Sequence, residues 1–303
     1  MYDQREILST ETTKNLNYVS SIVCMYSIHA YSRNEQHRHL SVTTIARSMS
    51  SEIEPFPWFH PITQVGLAFL GILTLILWFL IPSAPTGEKK SHAVITGGSS
   101  GIGLGLAKEC AEAGVQNITL VARNKATLEK VQKELAAKYP SSKFHIQSVD
   151  VSNYKAVQAA GKAIVIDGGP PTLLFNNAGI TSIHAFQDVP ITDFENLMNC
   201  NYLGTVYMTK VLLNDMPSGS CVMMTSSMAG AVGIYGYTAY SPTKFAIRGF
   251  AESLQSEVRR DGISVSLAFP PDTDTPMFKE ENKAKPKETF LISDAAGMIQ
   301  PEV

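Results

Sequence analysis

From Ser91 onward, short apolar runs alternate with stretches of helical periodicity. The apolar runs predict strands at HAVIT, NITLVA, FHIQSVD, TLLFNNAG, GSCVMMTSS and ISVSLAF. The periodic stretches predict helices at GLGLAKECAEAG, KATLEKVQKELAAKY, YKAVQAAGKAIVI, residues 190–213 and residues 243–260. Because the two types of element alternate strictly, the predicted fold is α/β, with a doubly wound parallel sheet covered by helices on both faces.

The first ninety residues have a different pattern. Residues 1–61 are rich in polar residues without a sustained apolar period, and we predict a disordered tail there. Residues 62–81 contain VGLAFLGILTLILWFLI, which has no charged residue. This run predicts a transmembrane anchor, because a membrane-spanning helix needs about 17–25 apolar residues. A cleaved signal peptide is the alternative, since Ser83 and Ala84 follow the run.

Residues 82–90 predict a short linker, because Pro and Gly punctuate them. Lys89 and Lys90 follow the apolar run directly, so we expect the domain at 91–303 to face the cytosol.

Composition narrows the class of protein further. The 303 residues carry a formal net charge of -2, which gives no electrostatic reason to expect nucleic-acid binding. The four cysteines form no CxxC pair, so we interpret them as thiols in a reducing compartment and predict no metal site.

A glycine-rich loop, TGGSSGIG, joins the first predicted strand to the first helix. Such a loop lets backbone N–H groups approach a pyrophosphate at a helix N-terminus, which indicates a Rossmann-type dinucleotide site. The predicted binding residues of this loop are Gly97, Ser99, Ser100, Gly101, Ile102 and Gly103.

The end of the second strand indicates which dinucleotide binds. NAD sites place an acidic residue there for the ribose 2′-hydroxyl, whereas an arginine suits the 2′-phosphate of NADP. The sequence has LVARN, with Arg123 and no acidic residue. We therefore predict NADPH as the cofactor.

The stretch YSPTK sets Tyr240 four residues before Lys244, a spacing that shares one face of a helix. Pro242 between them would break a helix interior. Glycine-rich sequence precedes this stretch, so the helix is predicted to begin between Thr238 and Ser241, with Pro242 in its first turn.

Together, TGxxxGxG, NNAG at 176–179, a strand that ends in serines and YxxxK resemble the short-chain dehydrogenase/reductase family, over residues 91 to about 275. The resemblance implies hydride transfer from nicotinamide, with Tyr240 as the proton donor. It also implies further cofactor contacts at Asp150, Val151, Asn177, Tyr240, Lys244 and Thr275. The implied catalytic residues are Asn201, Ser227, Tyr240 and Lys244.

Each implied catalytic residue has an expected role. A tyrosine has a pKa of about 10, and the Lys244 ammonium and an oxidised nicotinamide are expected to lower it. Ser227 fits the family spacing to Tyr240 better than Ser226 does, and is expected to hold the substrate oxygen. Asn201 is expected to retain a water that links Lys244 to solvent.

Within the family, the apolar anchor, AYSPTKFAIRGFAESLQSEV and PPDTDTPMFKEENKAKPKETFLIS resemble the reductases of long-chain sphingoid-base ketones. This resemblance implies NADPH-dependent reduction of 3-ketosphinganine to sphinganine in sphingolipid synthesis, on the endoplasmic reticulum membrane. An anchored reductase of retinoid or steroid ketones is the alternative among enzymes.

Two acids after the last strand have competing interpretations. Asp272 and Asp274 could attract the ammonium group of such a substrate. Asp274, followed by Thr275 and Pro276, also resembles a helix cap with proline in the first turn, and we favour that interpretation for Asp274.

The family usually continues through another helix and a seventh strand beyond the sixth. The domain at 91–303 is therefore expected to be incomplete at its C-terminus, with GMIQPEV beginning a helix. A non-catalytic, NADP-binding isoform is the alternative outside enzymes. The resemblance also implies a homodimer that forms through the helices at 190–213 and 243–260.

Overall fold

The computed structural model describes residues 91–296 and 298–301. Six strands form one sheet in the order β3-β2-β1-β4-β5-β6, and every neighbouring pair is parallel. The strands are β1 (His92–Thr96), β2 (Asn117–Ala122), β3 (Lys143–Ser148), β4 (Leu173–Asn176), β5 (Cys221–Thr225) and β6 (Ser264–Ala268).

Helices connect the strands and cover the sheet. The α-helices are α1 (Gly101–Glu112), α2 (Lys125–Lys138), α3 (Tyr154–Gly168), α4 (Ile191–Leu197), α5 (Gly204–Leu212), α6 (Tyr240–Val258), α7 (Pro276–Ala284) and α8 (Lys287–Ala296). The predicted parallel, Rossmann-type α/β fold is confirmed.

Alternation along the central strand divides the core between the two faces of the sheet. Val94 packs into a cluster with residues of α3, α5 and α6, whereas its neighbours Ala93 and Ile95 pack into a cluster with residues of α1 and α2. Successive strand side chains point to opposite faces, so a fully buried strand needs apolar residues at every position. This requirement explains the continuous apolar runs in the sequence.

The predicted tail at 1–61, anchor at 62–81 and linker at 82–90 lie outside the described residues. Among the residues that the structure does describe, no helix is long and apolar enough to cross a bilayer.

The helix predicted at 190–213 is interrupted. A π-helical turn, Met198–Leu203, separates α4 from α5. Asn201 lies in that turn, where its side chain contacts a neighbouring loop and its carbonyl accepts a hydrogen bond from the Thr205 hydroxyl at 2.8 Å. A widened turn of this kind is frequent at functional sites, and the local pattern of apolar residues does not reveal it.

The start of α6 agrees with the prediction, whereas the C-terminal segment does not. Helix α6 begins at Tyr240, so Pro242 falls in its first turn.

The expectation that GMIQPEV begins a helix is wrong for its described part. There Ile299 forms a parallel bridge with Thr273, and its backbone bonds to Asp272 and Asp274. These partners are distant in the sequence, so the local pattern of residues does not reveal the bridge.

Candidate active site

A cleft of about 980 Å³ lies at the carboxyl ends of the strands. The cleft spans the position where the strand order reverses, because β1 has β2 on one side and β4 on the other. Ligands of doubly wound sheets usually bind at this position. The Thr96 hydroxyl accepts hydrogen bonds from the backbone N–H groups of Asn177 and Ala178, both at 2.9 Å. The exits of β1 and β4 are therefore fixed against each other at the floor of the cleft.

The glycine loop forms one wall of this cleft. Gly97 and Gly101 have φ angles of 71° and 53°, which favour glycine. A Cβ on Gly103 would lie 2.3 Å from the Gly97 carbonyl oxygen, so the loop closes only with glycine there. Ser100 caps α1 without a side-chain hydrogen bond, which leaves first-turn N–H groups to bind an anion.

This backbone cradle fits the pyrophosphate of a dinucleotide. Of the predicted loop residues, five line the cleft, and Gly103 is buried behind it. The five are Gly97, Ser99, Ser100, Gly101 and Ile102.

The predicted adenosine contacts lie at the ends of β2 and β3. Arg123 follows β2 and has an exposed side chain on the cleft. Asp150 and Val151 follow β3 and also line the cleft. The Asp150 carboxylate accepts hydrogen bonds from the backbone and the hydroxyl of Ser152 at 2.9 and 2.7 Å, which fixes its orientation.

Tyr240, Lys244 and Ser227 converge on the opposite side of the cleft. Ser227 and Tyr240 both line the cleft, whereas the neighbouring Ser226 is buried and its hydroxyl donates to the Lys244 carbonyl at 3.1 Å. The Lys244 ammonium donates to the Thr225 carbonyl at 2.9 Å. Ser227 is therefore the serine that is available to act with Tyr240, since Ser226 is bonded to the backbone. Lys244 lies against the end of β5.

Asn201 is fully buried behind this group. Its amide donates to the Ile180 carbonyl at 3.0 Å and the Thr243 hydroxyl at 3.1 Å, and its side-chain oxygen accepts from the Ile180 N–H at 2.8 Å. These three bonds join the exit loop of β4 to α6. Asn201 is therefore a positioning residue, and its predicted water relay stays a prediction.

Asn177 and Thr275 also line the cleft. The Asn177 amide donates to the Thr96 carbonyl at 3.2 Å, which fixes the residue against the glycine loop. Thr275 caps α7 by accepting from the Phe278 N–H at 3.1 Å. The favoured capping role of Asp274 is thus wrong, because Thr275 takes that position and Asp274 pairs with the Lys279 ammonium at 3.0 Å.

The pKa of Tyr240 differs in direction from the sequence-based expectation. Burial raises it, and the negative charge of Glu281 raises it further, while the bond from Ser227 acts in the opposite direction. The Lys244 ammonium donates to the Thr225 carbonyl and lies 5.5 Å from the centre of the Tyr240 ring. Burial lowers the pKa of Lys244 to about 8.

Sequence reasoning missed a second charged group beside Tyr240. The Tyr237 hydroxyl donates to the Glu281 carboxylate at 2.5 Å, and the Lys285 ammonium lies 3.2 Å from Glu281 and 3.8 Å from Asp272. Glu281 lies on α7, a helix whose start at Pro276 the sequence indicated. Of this group, the sequence indicated only Asp272, as a residue that could attract a substrate ammonium.

A glycine cradle for a dinucleotide and a buried Tyr240–Lys244 pair beside Ser227 in one cleft define a nicotinamide-dependent oxidoreductase of the Rossmann type. The family model described as short chain dehydrogenase matches residues 91–286. The chain therefore belongs to the short-chain dehydrogenase/reductase family, and its cofactor is a nicotinamide dinucleotide.

Individual relatives agree with this assignment. The chain is 43% identical over 246 residues to a 3-dehydrosphinganine reductase of Danio rerio, covering 78% of this chain and 74% of that protein. It is 42% identical over 241 residues to a 3-ketodihydrosphingosine reductase of Bos taurus, covering 78% and 72%. The crystal structure of L-sorbose reductase from Gluconobacter frateurii, complexed with NADPH and L-sorbose, superposes with a TM-score of 0.64 at 26% identity, covering 71% and 87%.

Proposed function

We propose that this chain reduces 3-ketosphinganine to sphinganine with NADPH, as a step of sphingolipid synthesis. The observation that carries the proposal is the convergence of Ser227, Tyr240 and the buried Lys244 on one cleft. The names of the two animal relatives support the substrate.

The chemistry follows from these side chains. The ketone oxygen accepts hydrogen bonds from the Ser227 and Tyr240 hydroxyls, which polarises the carbonyl. A cofactor held by the glycine loop would supply the hydride for the carbonyl carbon. Tyr240 donates its proton to the oxygen, and the alcohol forms. The raised pKa of Tyr240 keeps the phenol protonated, which suits a proton donor in the reductive direction.

The cleft also suits a long alkyl chain. Apolar side chains surround its mouth on the side of Tyr240, and several of them are exposed. Each buried CH₂ group contributes about 0.8 kcal/mol to binding. The residues are Met228, Val232, Ile234, Met277 and Phe278.

A turnover assay of the purified chain tests the proposal. With NADPH we expect 3-ketosphinganine to yield sphinganine, detected by mass spectrometry. Retinoid and steroid ketones serve as competing substrates. Faster turnover of either would replace the proposed substrate, and NADPH binding without turnover of any ketone would favour the non-catalytic alternative.

Arg123 is proposed to bind the 2′-phosphate that distinguishes NADPH from NADH. We expect Arg123→Ala to lower the preference for NADPH over NADH by about 10- to 100-fold, because a charge-assisted bond to phosphate is lost. The ratio of kcat/KM values for the two nucleotides measures this change. Lys125→Ala is the matched control, since Lys125 is an exposed cation just beyond Arg123. An unchanged ratio in Arg123→Ala would rule out the role.

Lys244 is proposed to stabilise the tyrosinate that forms as Tyr240 gives up its proton. With a pKa of about 8, Lys244 is charged below pH 8 and neutral above it. We therefore expect kcat/KM for ketone reduction to fall about tenfold per pH unit above that value. A profile that stays flat to pH 10 would contradict the proposed role.

The proposed site of action is the endoplasmic reticulum membrane, with residues 62–81 as anchor and the catalytic domain in the cytosol. The uncharged sequence of that run and the lipid nature of the substrate support this. Protease treatment of sealed microsomes tests the orientation, since a cytosolic domain is digested and a lumenal one is protected. A homodimer through α4, α5 and α6 stays a prediction, which sedimentation of the detergent-solubilised chain would test.

A further inference from the structure

Three charged side chains and one phenol form a group on the cleft wall beside Tyr240. Tyr237, Asp272 and Glu281 line the cleft, and Lys285 lies behind them. The group is well buried, since the Lys285 side chain is 0% exposed and the Glu281 side chain 9% exposed. We refer to these four residues as the acidic wall.

The acidic wall has an unbalanced charge. Glu281 and Asp272 supply two carboxylates, and Lys285 supplies one ammonium, at 3.2 Å from Glu281 and 3.8 Å from Asp272. Among these three side chains, one unit of negative charge therefore remains. Charges interact more strongly in a buried cleft than in water, so a further cation would be stabilised there.

The acidic wall acts directly on the proposed reaction centre. The Tyr237 ring packs edge-on against the Tyr240 ring with centroids 5.7 Å apart, and the Tyr237 hydroxyl donates to Glu281. The charges of Glu281 and Asp272 both raise the pKa of Tyr240.

The acidic wall lies beside Tyr240, where a cationic group bonded close to the ketone carbon of a substrate would be placed. In 3-ketosphinganine the amine is carried by the carbon next to the carbonyl, so binding the ketone at Ser227 and Tyr240 brings the ammonium close to the surrounding wall. On the basis of the proposed function, we infer that Glu281, assisted by Asp272, receives the ammonium group and selects α-amino ketones.

Tyr237 and Lys285 then act as positioning residues. Their bonds hold the Glu281 carboxylate at the cleft surface, although burial alone would favour its neutral form. Burial raises the pKa of Glu281, and the bonds from Tyr237 and Lys285 lower it. Burial prevails and the pKa of Glu281 is raised overall, so an arriving ammonium would favour the charged carboxylate.

A comparison of two ketones tests the inference. One is 3-ketosphinganine, and the other is its N-acetyl derivative, which has the same carbon skeleton and no positive charge. We expect Glu281→Gln to reduce kcat/KM for the amine by about 10- to 100-fold and to change that for the amide much less. Glutamine keeps an oxygen that can accept from Tyr237, so the variant removes charge and preserves shape.

Glu280→Gln is the matched control. Glu280 precedes Glu281 on α7, its side chain is 71% exposed, and it pairs with Lys283 on the surface. This variant should keep the preference of the wild type. A preference for the amine that disappears only in Glu281→Gln supports the inference. Equal losses on both ketones, or no loss on either, would overturn it.

The inference and the proposed function fail in different ways. If the wild type binds NADPH and reduces neither ketone, the proposed function falls and the inference falls with it. If the wild type reduces 3-ketosphinganine and the Glu281→Gln preference is unchanged, the inference alone is overturned.

A measurement on the wild type keeps the test decisive if Glu281→Gln does not fold. Sphinganine and N-acetylsphinganine are compared as inhibitors of ketone reduction in the same detergent micelles. An acidic wall that binds ammonium predicts that the cationic product inhibits about tenfold more strongly. Equal inhibition would overturn the inference.

Discussion

Replacing Tyr240 with phenylalanine should lower kcat for ketone reduction by about 10³-fold, because it removes the proposed proton donor to the substrate oxygen. The ring stays in place, since it packs against Tyr237 and the substitution removes only the hydroxyl. NADPH binding, measured by fluorescence, should remain close to wild type, because the glycine loop that holds the pyrophosphate lies across the cleft.

Tyr139→Phe provides the control for this substitution. Tyr139 lies at the end of α2, where its hydroxyl donates to the surface residue Glu112 at 2.7 Å, so the same chemical change occurs away from the cleft. Only the Tyr240 variant should lose turnover. If Tyr240→Phe reduces the ketone at the wild-type rate, another group donates the proton and the proposed mechanism is wrong.

The strands and the glycine loop could be predicted from the sequence because their causes are local. A buried parallel strand needs continuous apolar residues, and β1 and β2 match the predicted runs HAVIT and NITLVA residue for residue. The Tyr240 helix could also be located, because Pro242 is compatible with only the first turn.

The π-helical turn and the acidic wall could not be predicted, because each depends on contacts between distant segments. The turn contains Asn201, whose side chain reaches Ile180, twenty-one residues away. Glu281 meets Tyr237 across forty-four residues, and the sequence indicated the start of the Glu281 helix without its position against Tyr237. Without that contact in view, the Tyr240 pKa was predicted to fall because of Lys244 and an oxidised nicotinamide, and the effects of burial and Glu281 were not included.

Replacing Gly103 with alanine should abolish dinucleotide binding. The new Cβ would lie 2.3 Å from the Gly97 carbonyl oxygen and 2.8 Å from the Asn177 side-chain nitrogen. A backbone oxygen cannot move aside as a flexible side chain can, so the loop must open and its N–H groups lose their alignment. We expect the dissociation constant for NADPH to rise by more than about 100-fold, a loss of roughly 3 kcal/mol or more. Titration by nucleotide fluorescence measures it.

Gly249→Ala is the control, because it makes the same change where there is room. A Cβ on Gly249 would meet nothing within 4 Å, and the residue lies inside α6, where alanine favours the helix by about 1 kcal/mol over glycine. Nucleotide affinity should be unchanged and the midpoint of thermal unfolding equal or higher. If Gly103→Ala binds NADPH as tightly as Gly249→Ala, the close approach of α1 to the loop does not determine binding. The cofactor must then be held mainly by side chains such as Arg123 and Asp150.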